Sequence, residues 1–459
     1  MKELLQKALR LAEADYCEIR FEESNYLNIT FRGSEIEQIF KEIQYGGNIR
    51  ALYKGAWGFA SFNSPDQLFE MLQMACRQAK VAGERQKGES KLAKVPVLEE
   101  EFTPPYTLNP GAISLEEKVR ILTRYKDLIL NFHPAITAAS IIYKETHTDL
   151  TFANTDGTYI KQKKLDIGSN IEAIASRGDR IATKKVGLGS SSGFDCMLNI
   201  DDELKTACDL AVKLLDAPQV KAGVYTVICD QDLAGLFVHE AFGHLSEADD
   251  TCKKPAMLKT MTLGRRLGKD FLTIYDSGEY FAHRGAMQYD DEGVAAERTD
   301  LIKNGILVGR LHSRETAGIM GEKPTGSARA LHYAFPPICR MRNTCIAPGE
   351  SSFHDMIKDI PLGLYALGSM GGETNGEMFT FNASHGFMIR NGEIAELVKD
   401  VKLMGNVFTT LKNIDRIGCD VKGRNGSGGC GKNDQSPLPV SGICPHIRIQ
   451  NVIVGGAKS

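Results

Sequence analysis

Of the 45 glycines in this 459-residue chain, 14 fall in residues 1–200 and 31 in residues 201–459. Glycine lets the backbone turn tightly or approach another group closely, and it weakens the interior of helices and strands. So uneven a distribution predicts a regular first part and a turn-rich second part. In the first part, β-branched and aromatic runs at Tyr16–Phe21, Tyr26–Phe31 and Asn48–Tyr53 read as strands. A helix follows the Asn63-Ser64-Pro65 start signal, with Leu68, Leu72, Cys76 and Ala79 at helical spacing. Residues 83–110 lose periodicity, gather Lys, Glu and Pro, and read as a linker.

A second unit opens on a capping-box pattern, Ser114-Leu115-Glu116-Glu117, before a helix over Lys118–Leu130. Strand-like runs follow around Ser140–Tyr143, Leu150–Ala153 and Thr158–Lys164, the last two joined by the turn Asn154-Thr155-Asp156-Gly157. A helix at about Asp202–Leu215 closes the unit. From Ala222 onward, short β-like runs are separated by glycines. The expected class is α+β: an N-terminal α/β region followed by a Gly-rich, mainly β C-terminal domain, barrel- or sandwich-like. Expected boundaries are 1–100 for an N-terminal α/β domain with linker, 101–220 for a central α+β domain, and 221–459 for the C-terminal domain.

Composition excludes some functions. With 25% charged and 42% hydrophobic residues the chain has ordinary globular values. A net charge of −3 gives no electrostatic case for nucleic acid or an anionic membrane. The segment Met1–Tyr16 reads as an amphipathic surface helix, unlike a signal peptide, and no apolar run approaches the ~20 residues that span a bilayer. The eleven cysteines contain no CxxC pair and their number is odd, which suits a reducing compartment. The expectation is a soluble, cytoplasmic protein.

The sharpest motif is His239-Glu240-Ala241-Phe242-Gly243-His244, after a strand-like run at Val224–Cys229 and an acidic helix start, Asp230-Gln231-Asp232. Two histidines flanking a glutamate resemble HExxH, in which i and i+4 histidines hold zinc and the glutamate activates water. Here the spacing is one residue longer. On a straight α-helix, i and i+5 lie about 140° apart and could not grip one ion. Either a π-type turn, with i→i+5 bonding, brings them together, or Gly243 ends the helix and His244 swings in from irregular backbone.

Catalytic zinc takes three protein ligands and leaves a position open. Among candidates for the third, Cys430 lies in Gly426-Ser427-Gly428-Gly429-Cys430-Gly431-Lys432, where glycines admit a short side chain to a crowded site and Lys432 would favour the thiolate. The stretch also imitates a phosphate-binding GxxxxGK loop. Asn433 replaces the magnesium-binding Ser/Thr, and Pro437 and Pro439 bar a following helix, so nucleotide binding is rejected.

The HEAFGH segment, the CGKNDQSPLPV segment, Asp290-Asp291-Glu292-Gly293 with Arg298-Thr299, Gly305-Ile306-Leu307, Met341-Arg342-Asn343-Thr344, Gly371-Gly372-Glu373 and Val454-Gly455-Gly456 together resemble the TldD branch of the TldD/PmbA family. The resemblance covers most of the chain and is strongest from Val224 to Gly456. It implies a zinc metallopeptidase acting on short or unfolded peptides. It also implies a dimer around an enclosed cavity, either a homodimer or a heterodimer with a PmbA/TldE-type paralogue. By position it implies His239, His244 and Cys430 as zinc ligands and Glu240 as general base. The sequence departs from the family pattern at Leu245-Ser246-Glu247-Ala248-Asp249 and at Glu373, where glutamine is common.

A thiolate ligand weakens zinc as a Lewis acid, so slow or selective proteolysis is expected. The alternatives are a non-catalytic zinc-binding regulatory or partner-binding protein and a closed, four-ligand structural zinc site. His283, His312, His332 and His385 read by default as surface or satisfied core residues, with His385 the best carbonyl stabiliser among them. Arg329, Arg340 and Arg342 read as solvated surface arginines that could otherwise grip a peptide carboxylate.

Overall fold

The computed structural model describes residues 1–85 and 88–456, the side chain of Arg424 excepted. Its first half contains, in order, α1 (Lys2–Arg10), β1 (Tyr16–Arg32), β2 (Glu35–Tyr53), β3 (Ala56–Phe62), α2 (Leu68–Arg85) and β4 (Glu99–Phe102). There follow α3 (Leu115–Leu130), β5 (Ile136–Asn154), β6 (Tyr159–Arg177), β7 (Arg180–Ser190) and α4 (Asp201–Leu214). The strand-like runs of the sequence are fragments of longer strands, because half of each strand carries polar residues that mask its periodicity.

These strands make one antiparallel sheet in the order β3-β2-β1-β5-β6-β7, with β4 pairing parallel to the start of β6. β1 is central, with Ile19 opposite both Ile49 and Ala153, and Ile29 opposite both Ile39 and Tyr143. Each end of the long sheet has its own helical layer and core. Leu68, Leu72, Ala75 and Ala79 of α2 pack with Leu5, Ile19, Phe21 and Ile49. At the other end Leu122, Tyr125 and Ile129 of α3 and Leu204, Cys208 and Ala211 of α4 pack with Phe31, Ile141, Tyr143 and Ile171. Fully burying a side chain such as Leu72 is worth roughly 1.5–3 kcal/mol.

Two local expectations are corrected. The stretch read as a linker is partly structured: α2 runs to Arg85, and Glu99–Phe102 is an edge strand whose Glu99 and Glu101 pair with Lys2 and Lys161. Its charge conceals it from strand propensity. The box at Ser114 is half formed: Ser114 Oγ accepts from Glu117 N, but the Glu117 carboxylate turns to Arg120.

The C-terminal region holds a closed five-stranded barrel. β8 (Gly223–Cys229) pairs parallel with Leu362–Asn375, which continues antiparallel through Met378–Arg390, Lys402–Asn406 and Ile447–Gly455, and the last returns to β8. Closure leaves no free edge. Beside the barrel, a six-stranded sheet includes Ile274–Ser277, Asn343–Ile346 and Ser441–Cys444. Between the two lies α5 (Gln231–Phe237), which leaves β8 after one residue. Phe237 meets Phe379 and Phe381 of the barrel edge-on. A Cβ on Gly442 would lie 2.7 Å from Gly235 Cα, so helix and strand touch backbone to backbone. Among the described residues, no helix is long and apolar enough to cross a membrane.

Candidate metal centre

The site grows from the junction of β8 and α5. The Asp230 side chain caps the helix by accepting from Leu233 N at 2.8 Å, and its other oxygen accepts from Gly368 N at 2.8 Å. After Phe237 the helix widens into a π-turn over Val238–Gly243. This settles how residues five apart meet: the ring centroids of His239 and His244 are 5.2 Å apart. Gly243 does not break the helix. It is helical, and a Cβ there would lie 2.0 Å from Met341 Sδ, so glycine serves close packing.

Cys430 begins a short strand, Cys430–Lys432, paired with Gln435–Leu438. Its Sγ lies 3.3 Å from His244 Nε2, and the donor atoms of His239, His244 and Cys430 all fall within 4.8 Å of one another. Tetrahedral bonds of 2.0–2.3 Å place ligand atoms about 3.5 Å apart, so this donor set fits an ion of zinc's size and softness. Burial pushes the Cys430 thiol up, but His239 and His244 outweigh it and hold the thiol at about 5, the anionic form that metals bind. Burial lowers the His244 imidazole, yet Cys430 and Glu247 raise it to about 10.

Glu240 is half-buried, and its Oε2 lies 3.8 Å from His244 Nε2. With His239 and Cys430 it lines a cavity of about 260 Å³ whose walls come from β7 (Lys184, Gly187), the barrel strand (Gly368–Gly372) and the loop 425–429. The carboxylate thus borders this cavity.

Several supports were not legible as such. Glu247, buried, places Oε2 3.0 Å from His244 Nδ1. Burial raises its carboxyl, but His244 and Lys432 bring it to about 2. Lys432 does not sit by the thiolate as expected. Its Nζ donates to Glu247, Asp249 and the Cys339 carbonyl, because two carboxylates attract it more strongly than a thiolate already matched by two histidines. The departure at Leu245–Asp249 therefore keeps the two acids that matter. Arg284 forks onto Asp166 at 2.7 Å through both Nε and Nη2, and its Nη1 holds the carbonyls of Gly426 and Gly428.

The arginines read as surface groups are buried. Arg340 donates to the carbonyls of Cys430 and Gln435, Arg342 pairs with Asp276, and Arg329 holds the carbonyls of Met341 and Pro439. Each ties loop backbone together, which accounts for their burial in a Gly-rich region. His312 is a core residue bonded to Thr316 and Glu322, and His283 bonds Asn425 of the loop. His332 packs against Phe335, and His385 takes Lys184 at 3.4 Å. None of these four joins the metal cluster. Glu373 is exposed and outside the cavity.

Comparison with known proteins agrees with this architecture. Family models of the PmbA/TldA metallopeptidase match residues 17–79 as domain 1, 108–215 as the central domain and 222–456 as the C-terminal domain. A metalloprotease of Synechocystis sp. is 43% identical over 97% of this chain and 96% of its own. A zinc metalloprotease TldD homologue of Saccharolobus solfataricus is 29% identical over 99% of this chain and 100% of its own. The crystal structure of TldE from Thermococcus kodakarensis shares the fold with a TM-score of 0.79 at 17% identity, over 99% of this chain and 100% of that one.

Proposed function

The chain belongs to the PmbA/TldD metallopeptidase family, and we propose that it is a zinc-dependent peptidase hydrolysing peptide bonds in short or unfolded peptides. His239, His244 and Cys430 hold the ion and Glu240 is the general base. The observation that carries this reading is the convergence of three metal-binding atoms within 4.8 Å beside a carboxylate that faces a cavity. Three protein ligands suit a catalytic rather than a closed structural site. When bound, zinc supplies Lewis acidity, polarising a carbonyl oxygen and lowering the pKa of water. Glu240 takes the proton of the attacking water and passes it to the leaving amine nitrogen. Glu247 fixes the His244 ring so that Nε2 faces the ion. A cavity of about 260 Å³ suits a short or unfolded peptide rather than a folded domain. The thiolate tempers the ion's acidity, so turnover is slow or selective. Turnover matching that of efficient His₂Glu proteases on unstructured peptides would refute this last point.

Glu240→Gln separates the peptidase from a zinc-binding protein without activity. Zinc content should equal that of the parent and cleavage of an unstructured peptide should be lost. Cleavage at the parental rate would sink the reading. In this reading the working unit is a homodimer or a heterodimer with a PmbA/TldE-type chain, to be tested by the mass and chain content of the purified assembly.

A further inference from the structure

The cavity beside Glu240 is also lined by charged groups that zinc chemistry leaves unused, among them Lys184, Lys185 and Asp232. Lys184 reaches it from β7, a strand of the first sheet, while the metal cluster and Glu240 come from the C-terminal region. Its Nζ donates to Ser384 Oγ at 3.1 Å and lies 3.4 Å from His385 Nδ1. Both partners are neutral: burial, then the Lys184 charge, hold His385 down at about 3. Among the described residues no carboxylate lies within ion-pair distance of Lys184. Asp230 and Asp232 act on it only at longer range, and burial lowers its pKa from the usual lysine value. Gly368, at φ 63°, lets the backbone pass close to the ammonium, since a Cβ there would come within 3.3 Å of Nζ.

A half-buried ammonium with only neutral hydrogen-bond partners, lining a cavity, is an anion site in waiting. We propose that Lys184 anchors a substrate carboxylate, so that preferred peptides carry a free carboxylate close to the scissile bond. The carboxylate belongs either to the peptide's C-terminus or to an acidic side chain. This inference rests on the peptidase reading. A cavity of about 260 Å³ leaves room for only a short stretch of peptide between the anchor and Glu240.

The test uses the zinc-loaded full chain and its Lys184→Met and Lys184→Arg variants. Four otherwise identical fluorescent peptides end in Gln-amide, Gln with a free carboxylate, Glu-amide, or Glu with a free carboxylate. Charge-assisted hydrogen bonds predict a preference of roughly ten- to hundred-fold in kcat/KM for a charged peptide over Gln-amide. Comparison of the free Gln acid with Glu-amide tells the C-terminus from a side chain. Lys184→Met should erase the preference, mainly through KM, and Lys184→Arg should restore most of it. Equal cleavage of all four peptides by the parent, or an equal loss on all four in Lys184→Met, would overturn the proposal. Peptide affinities measured in the Glu240→Gln background keep the two readings apart. Absence of cleavage by the parent defeats the peptidase reading, whereas a charge preference in binding that disappears with Lys184→Met still supports the anchor, and its absence rejects it.

Discussion

Glu247 Oε2 stands 3.0 Å from His244 Nδ1, while Nε2 of the same ring lies 3.3 Å from Cys430 Sγ. One carboxylate thus fixes which nitrogen turns towards Cys430 and, in the proposed site, towards the ion, and Lys432 fixes the carboxylate in turn. Glu247→Gln should lower zinc affinity roughly 10–100-fold with the fold intact. Competition titration against a chromophoric chelator measures this, and parental affinity would show that the contact does not orient the ring.

Gly243 meets the Met341 side chain at the π-turn, where an added Cβ would displace the Met341 thioether. Gly243→Ala should destabilise the protein by about 1–3 kcal/mol through overpacking and reduce zinc content. Adding Met341→Ala should recover part of the zinc. Urea unfolding of the single and double variants provides the comparison, and an undisturbed Gly243→Ala protein would contradict the packing argument.

Arg284 joins Asp166 of β6 to the carbonyls of Gly426 and Gly428, just before Cys430. A lysine in its place keeps the charge but loses the planar fork. Arg284→Lys should therefore loosen the loop, seen as faster proteolytic nicking within residues 425–429 and at least about tenfold weaker zinc binding. Unchanged nicking would mean that the loop is held by its other partners, His283, Ser441 and Asn170.

Glu145 is buried with Lys118, His147 and Tyr143. Burial raises its carboxyl, but these three hydrogen bonds and the Lys118 charge reverse the effect and hold it at about 2, against 4.5 unperturbed. A depressed carboxylate pKa gives stability that is fully present above the unfolded value and is lost as pH falls from about 4.5 towards about 2. The loss should approach roughly 3 kcal/mol. Glu145→Gln should lower stability at neutral pH and flatten the acid limb of a pH series of thermal unfolding midpoints. An unaltered acid limb would remove Glu145 from the account.

How legible the site was depends on how far apart its members lie. The i, i+5 histidines carried their own signal, since the spacing demanded either a π-turn or a helix broken at Gly243, and the chain takes the π-turn with Gly243 helical. Cys430 was marked by its glycines. By contrast, Arg284 meets Asp166 across 118 residues and Lys184 meets Ser384 across 200. Such pairs leave no local periodicity. Arg340 and Arg342 were misread because arginine is usually exposed, and only the fold shows how many loop carbonyls need donors. The barrel was legible as a class from Gly-separated β runs, but its closure through the parallel pair of β8 and Leu362–Asn375 was not.

The order of the metal-binding residues along the chain has a consequence for timing. His244 is synthesised 186 residues before Cys430, and β8, from which the histidine helix hangs, finds its antiparallel neighbour only in Ile447–Gly455. A nascent chain therefore carries the two histidines and Glu240 through the synthesis of 186 further residues without Cys430 or a closed barrel to seat them. In the proposed peptidase the metal site is therefore assembled only once Cys430 has emerged and the barrel has closed around β8.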